Sequence, residues 1–157
     1  MKNLLKKEKG FTLIEIVLVL AIAGLLLVIV FLAVSGAQKS RRDTQRKNDL
    51  SRIAAQLESF ASNNGGCYPG MTPGANGCPA ALQSFGAFST STYITGANLN
   101  DPTTGVGYTP YATGAAPGPT AGNIAYQLGT ACDGTAIARG YSIRMQLEQG
   151  IACRDNK

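Results

Sequence analysis

Apolar positions are spread very unevenly along this chain. From Ile16 to Val34 nineteen consecutive residues, IVLVLAIAGLLLVIVFLAV, carry neither charge nor proline. A helix of that length approaches the hydrocarbon thickness of a bilayer. It is apolar on every face, so a small soluble domain could not surround it, and the run predicts a membrane-spanning segment. After Gly36 the pattern changes to AQKSRRDTQRKNDLSRIAAQLESFASNNGG, in which Leu50, Ile53, Ala54, Leu57, Phe60 and Ala61 recur at helical spacing. That stripe predicts a continuation of the same helix, burying one face against a headpiece until Asn63, Asn64, Gly65 and Gly66 stop it. Run unbroken from Phe11 to Ser62, such a helix would be roughly 78 Å long. A break at Gly36 is the alternative.

Beyond residue 62 the pattern shortens. Tyr141, Ile143, Met145 and Leu147 alternate with Ser142, Arg144, Gln146 and Glu148, which predicts a half-buried strand over 141–148. Residues 124–129, IAYQLG, form a second strand candidate, and 107–111 a shorter third. The fold class is therefore α+β: a long N-terminal helix, membrane-spanning in its first half, packed on a small antiparallel sheet in a loop-rich headpiece. Four segments follow: 1–10 as a leader, 11–34 as a transmembrane helix, 35–63 as its amphipathic continuation and 64–157 as the headpiece.

Composition sharpens this picture at the cysteines. Glycine (19) and proline (7) against 15% charged residues leave the headpiece little core, so it needs staples. Cys67, Cys78, Cys132 and Cys153 supply them in an oxidising compartment, with three pairings formally open. No two lie in C-x-x-C spacing and the chain has no histidine, so a zinc site is not expected. Nor is an enzyme: there is no G-x-S-x-G, no phosphate-cradling glycine motif and no paired-carboxylate constellation. No cofactor is expected.

The formal charge of +5 is concentrated at the start, where Lys2, Lys6, Lys7 and Lys9 face only Glu8. From Phe11 onward ten basic and eight acidic residues leave +2, so nothing singles out nucleic acid as a partner. Lys39, Arg41, Arg42, Arg46 and Lys47 form a basic cluster diluted by Asp43 and Asp49, expected as a solvated or headgroup-facing collar. Basic residues flank both ends of the span, so positive-inside counting does not fix its orientation.

A secretory signal carries its small-residue cleavage site after the apolar stretch. Here the small residue, Gly10, lies before it, so a cut there would keep the hydrophobic helix on the mature chain. KKEKGFTLIEIVLVLAIAG resembles the class III signal of type IV prepilins and pseudopilins, specifically over residues 6–24. The resemblance implies a prepilin peptidase that cuts between Gly10 and Phe11 and N-methylates Phe11. It also gives Glu15 an assembly role, its carboxylate meeting the free Phe11 amine of a neighbouring subunit. Cleavage turns the Phe11 amide into an amine with a reference pKa of about 7.7–8, which creates the countercharge. Helical spacing equally allows that contact within one chain.

The resemblance further implies a homo-oligomeric filament with other pilin subunits and a platform protein with an assembly ATPase. It places a single-pass anchor in the inner or cytoplasmic membrane, C-terminus outside, before export into an extracellular pilus. Cys132–Cys153 would correspond to the disulfide-bounded C-terminal region of many pilins. With Cys67–Cys78 closing a short local loop, those two bridges are favoured over the crossed pairings. The segment Leu99–Tyr111 is similar to an Asp-Pro turn and aromatic strand of pilins and type II secretion pseudopilins. Asp101 has no second acid before Asp133, so it is read as turn-forming and no metal is assigned. Related pilins often carry a proline within the membrane helix. This chain has none there, leaving Gly24 as the weak point. A pseudopilin and a minor or competence pilin are alternatives within the family, and a monomeric anchored binding module is the alternative outside it.

Overall fold

The computed structural model describes residues 10–74, 77–80, 82–89, 99–108, 110–111 and 120–157. Helix α1 runs over Leu13–Asn63, followed by a short helix α2, Phe85–Ser89. Four strands follow: β1, Pro110–Tyr111; β2, Ile124–Thr130; β3, Ala136–Leu147; and β4, Gly150–Asp155. The chain divides into two units, 1–38 and 39–157. Of the leader expected over 1–10, residues 1–9 lie outside the described residues.

In the first unit α1 is a single apolar helix. It contains no proline, and it continues through Gly24 and Gly36 without a break. Every large apolar side chain from Phe11 to Val34 is exposed, from 45% at Val34 to 84% at Phe11. This stretch is long and apolar enough to cross a membrane.

In the second unit the helix becomes amphipathic as expected. Leu50, Ile53, Leu57, Phe60 and Ala61 are buried in one core with Ile124, Tyr126, Tyr141, Ile143 and Met145 of the sheet. The stop signal works through backbone geometry. Gly65 and Gly66 take positive φ (66° and 78°), so the Gly66 N–H turns back to the Ala61 carbonyl at 2.7 Å. The Asn64 amide caps the Phe60 carbonyl at 2.8 Å.

The sheet order is β1-β2-β3-β4, with β2, β3 and β4 antiparallel and β1 a two-residue parallel addition to β2. Residues 141–147 alternate as the pattern required: Tyr141, Ile143, Met145 and Leu147 are buried, while Arg144 and Gln146 are partly exposed. Ser142 departs from the pattern and is buried as well. One boundary and two elements went unforeseen. Strand β3 starts earlier, at Ala136. Strand β4 pairs with β3 through a two-residue turn, Leu147 opposite Gly150. In the hydroxyl-rich segment 84–96, α2 puts Phe85 and Phe88 into the core, Phe85 stacked on Tyr126 at 4.2 Å. Residues 90–98 lie outside the described residues.

Candidate functional site

The N-terminal segment is built around Thr12. Gly10, Phe11 and Thr12 are exposed and non-helical, and the helix begins at Leu13. The Thr12 N–H and hydroxyl both donate to Glu15 Oε2, at 2.8 and 2.7 Å, while the Glu15 N–H reaches back to Thr12 Oγ at 3.4 Å. This is a capping box, with threonine at the N-cap and glutamate three residues on. It satisfies helix-end donors, and it places a carboxylate at the positive end of the helix dipole. It also starts the helix beyond the Gly10–Phe11 bond, leaving that bond in open chain. The sequence reading gave Glu15 an amine as partner and missed the Thr12 contact. The T-x-x-E spacing before an apolar run is the signal that could have found it.

The second polar cluster lies in the headpiece, around Arg46, whose side chain is fully buried. Its guanidinium grips Asp101 with two bonds, Nε to Oδ2 at 2.8 Å and Nη2 to Oδ1 at 3.2 Å. Nη2 also donates to Thr103 Oγ1 at 2.8 Å, and Nη1 to Asp43 Oδ1 at 3.1 Å and Glu148 Oε1 at 3.4 Å. Arg42 pairs with Glu148 as well, Nη2 to Oε2 at 2.9 Å. Asp43 accepts the Glu148 and Gln149 N–H groups at 2.9 and 3.1 Å, which fixes the β3–β4 turn to α1. Asp101 is the turn-former expected from the sequence: its Oδ1 accepts the Thr103 and Thr104 N–H groups. Gly122 is required beside it, since a Cβ there would lie 2.3 Å from Asp101 Oδ2.

The basic cluster is therefore only partly a collar. Arg46 and Arg42 are drawn into this node because Asp43, Asp101 and Glu148 would otherwise be left as buried or half-buried charges without a countercharge. Burial opposes ionisation of Asp101. The Arg46 bonds and the two backbone N–H groups outweigh it and hold the carboxyl below its usual range. The hydrogen bonds from Arg42, and then from Arg46, act on Glu148 in the same direction against its desolvation. Next to the node the Tyr108 hydroxyl donates to Asp49 at 2.6 Å. Burial, reinforced by that carboxylate, pushes the phenol's pKa up. Saturated ion pairs of this kind clamp a loop, a turn and a helix together.

Two disulfides complete the headpiece, Cys67–Cys78 with Cα atoms 5.7 Å apart and Cys132–Cys153 at 5.9 Å. The first ties the turn after α1 to the following loop, and the second joins the β2–β3 loop to β4.

Residues 5–31 match the model of the prokaryotic N-terminal methylation motif, the class III prepilin signal of type IV pilins and pseudopilins. No curated protein and no solved structure matches the chain.

Proposed function

We propose that this chain, a prepilin of the type IV pilin and pseudopilin type, is a structural subunit of an extracellular filament, cut between Gly10 and Phe11, N-methylated on Phe11 and polymerised through residues 11–34. One observation carries the reading. The methylation motif ends inside the 11–34 stretch, whose large apolar side chains are all exposed, so they need lipid before assembly and neighbouring helices afterwards. The motif implies processing by a prepilin peptidase and assembly into a pilus-like filament, and it fits membrane anchoring before that assembly. Proteins of this type are structural subunits, not enzymes.

In the precursor Glu15 is held by Thr12. Removal of residues 1–10 exposes an amine next to Thr12, and we assign Glu15 to that amine on a neighbouring subunit. Glu15 lies at the start of the span, where its carboxylate reaches the interface in the free subunit; once the span is packed among neighbouring helices, the amine is its partner. A platform protein and an assembly ATPase would supply the work of extraction. The headpiece would stand outside the membrane, where its disulfides persist.

N-terminal sequencing with intact mass, on protein sheared from cells and on the membrane fraction, tests this. Sheared protein beginning at N-methylated Phe11 supports the surface filament. Processed protein found only in the envelope moves the assignment to a pseudopilin. Chain beginning at Met1 throughout, in cells with an active peptidase, overturns the prepilin reading.

A further inference from the structure

The fold sorts the charges that follow the apolar run. In sequence, residues 39–49 mix five cations with two acids. In the headpiece both acids are buried: Asp43 is spent on Arg46 and the β3–β4 turn, Asp49 on the Tyr108 hydroxyl. Arg46 is buried too, and Arg42 is held by Glu148. Solvent meets Lys39, Arg41 and Lys47, all exposed, with no exposed carboxylate among residues 35–49 to offset them. At about 100° per residue these three side chains point in different directions around the helix, so they ring it and do not line one face.

We propose that Lys39 and Arg41 form a cationic collar that binds anionic phospholipid headgroups while the subunit is anchored. The inference rests on the membrane stage of the function proposed above. Lys39 follows Val34, the last residue of the uncharged run, by five residues and Arg41 by seven. The headgroup region extends about 5–7 Å beyond the hydrocarbon on each side, and long basic side chains carry their charge back toward it. Lys47 comes thirteen residues after Val34 and belongs outside that layer, which makes it an internal control. Lys39 and Arg41 lie about 200° apart around the helix, on opposite faces, an arrangement that suits lipid, which surrounds a helix, better than a nucleic acid, which engages one face. The chain from Phe11 onward also has a net charge of only +2, too little to steer a polyanion from a distance.

The test uses the full chain reconstituted in phosphatidylcholine vesicles with spin-labelled phosphatidylglycerol or spin-labelled phosphatidylcholine as probe, read by electron paramagnetic resonance. The wild type should prefer phosphatidylglycerol at low salt. Lys39→Gln with Arg41→Gln should lower that preference by about fivefold per cation for the lipids in contact, and added salt should do the same. Lys47→Gln should change it less than twofold. The leader lysines contribute equally to every variant. Intact disulfides and unchanged circular dichroism confirm that the exposed substitutions leave the fold alone. Equal preference in the wild type and the double variant overturns the proposal, as does an equal loss in Lys47→Gln. Duplex DNA binding that the double variant loses, with lipid preference unchanged, overturns it in favour of a nucleic-acid surface. None of these results bears on N-terminal processing, which is read separately by mass.

Discussion

Arg46→Met keeps the bulk of the side chain and deletes its charge at the centre of the headpiece node. Five hydrogen bonds disappear: two to Asp101 and one each to Thr103, Asp43 and Glu148. Removing one partner of a buried ion pair typically costs about 3–5 kcal/mol, chiefly through the charge left behind. Each acid here keeps other donors. Asp101 retains the Thr103 and Thr104 N–H groups, Asp43 the turn N–H groups, and Glu148 keeps Arg42. The expected loss is therefore at the low end, about 3 kcal/mol, against a typical domain stability of about 5–15 kcal/mol. Urea unfolding of the full chain in detergent, followed by near-ultraviolet circular dichroism of the packed tyrosines, measures it. With a slope of about 1.5 kcal/mol per molar, the midpoint should fall by about 2 M. Asp101→Asn in the Arg46→Met background should recover at least about 1 kcal/mol, since it neutralises the stranded charge. A midpoint shift under about 0.5 M for Arg46→Met at unchanged slope would refute the reasoning, and so would strict additivity of the two substitutions.

Three further outcomes are expected. Asp101 and Glu148 both ionise below their ordinary values, so their contribution is complete above the unfolded-state pKa values near 4 and is lost as pH falls through the lower folded values. Urea midpoints should hold steady from pH 7 to about 5 and drop below about pH 4. Serine at both Cys132 and Cys153 opens a loop of sequence separation 21, and serine at both Cys67 and Cys78 one of 11; each change should cost about 3 kcal/mol, the first slightly more, seen in thermal melts. Gly122→Ala and Gly134→Ala form a matched pair at φ of 88° and 85°. Both carry backbone strain of about 1–3 kcal/mol, but only the Gly122 Cβ meets Asp101, so its loss in the same melts should be clearly larger.

Much of the architecture was legible because it rests on periodicity. The stripe from Leu50 to Ala61 and the alternation of Tyr141 to Leu147 are each set by one repeating contact, and the structure follows both. What escaped lacks a period. Strand β4 reads GIACRD, with Ile151 exposed and Ala152 half-buried, so it shows no clean alternation and is held by its pairing to β3. Helix α2 is five residues long, and only its docking of Phe85 and Phe88 in the core stabilises it. The sorting of the basic cluster was out of reach for a different reason. Arg46 meets Asp101 and Glu148 across separations of 55 and 102 residues, and nothing local distinguishes it from Lys47 beside it. At the N-terminus the opposite holds, since the Thr12–Glu15 capping box is visible in four consecutive residues.

The helix also decides where this protein can be divided. Leu50, Ile53, Leu57, Phe60 and Ala61 are one wall of the headpiece core, and Asp43 and Arg46 hold its loop and turn. A soluble fragment that discards the apolar run must therefore begin upstream of Arg42. One that begins at residue 64, where the helix stops, discards its own folding template. During synthesis that template emerges before the strands and cysteines that close on it.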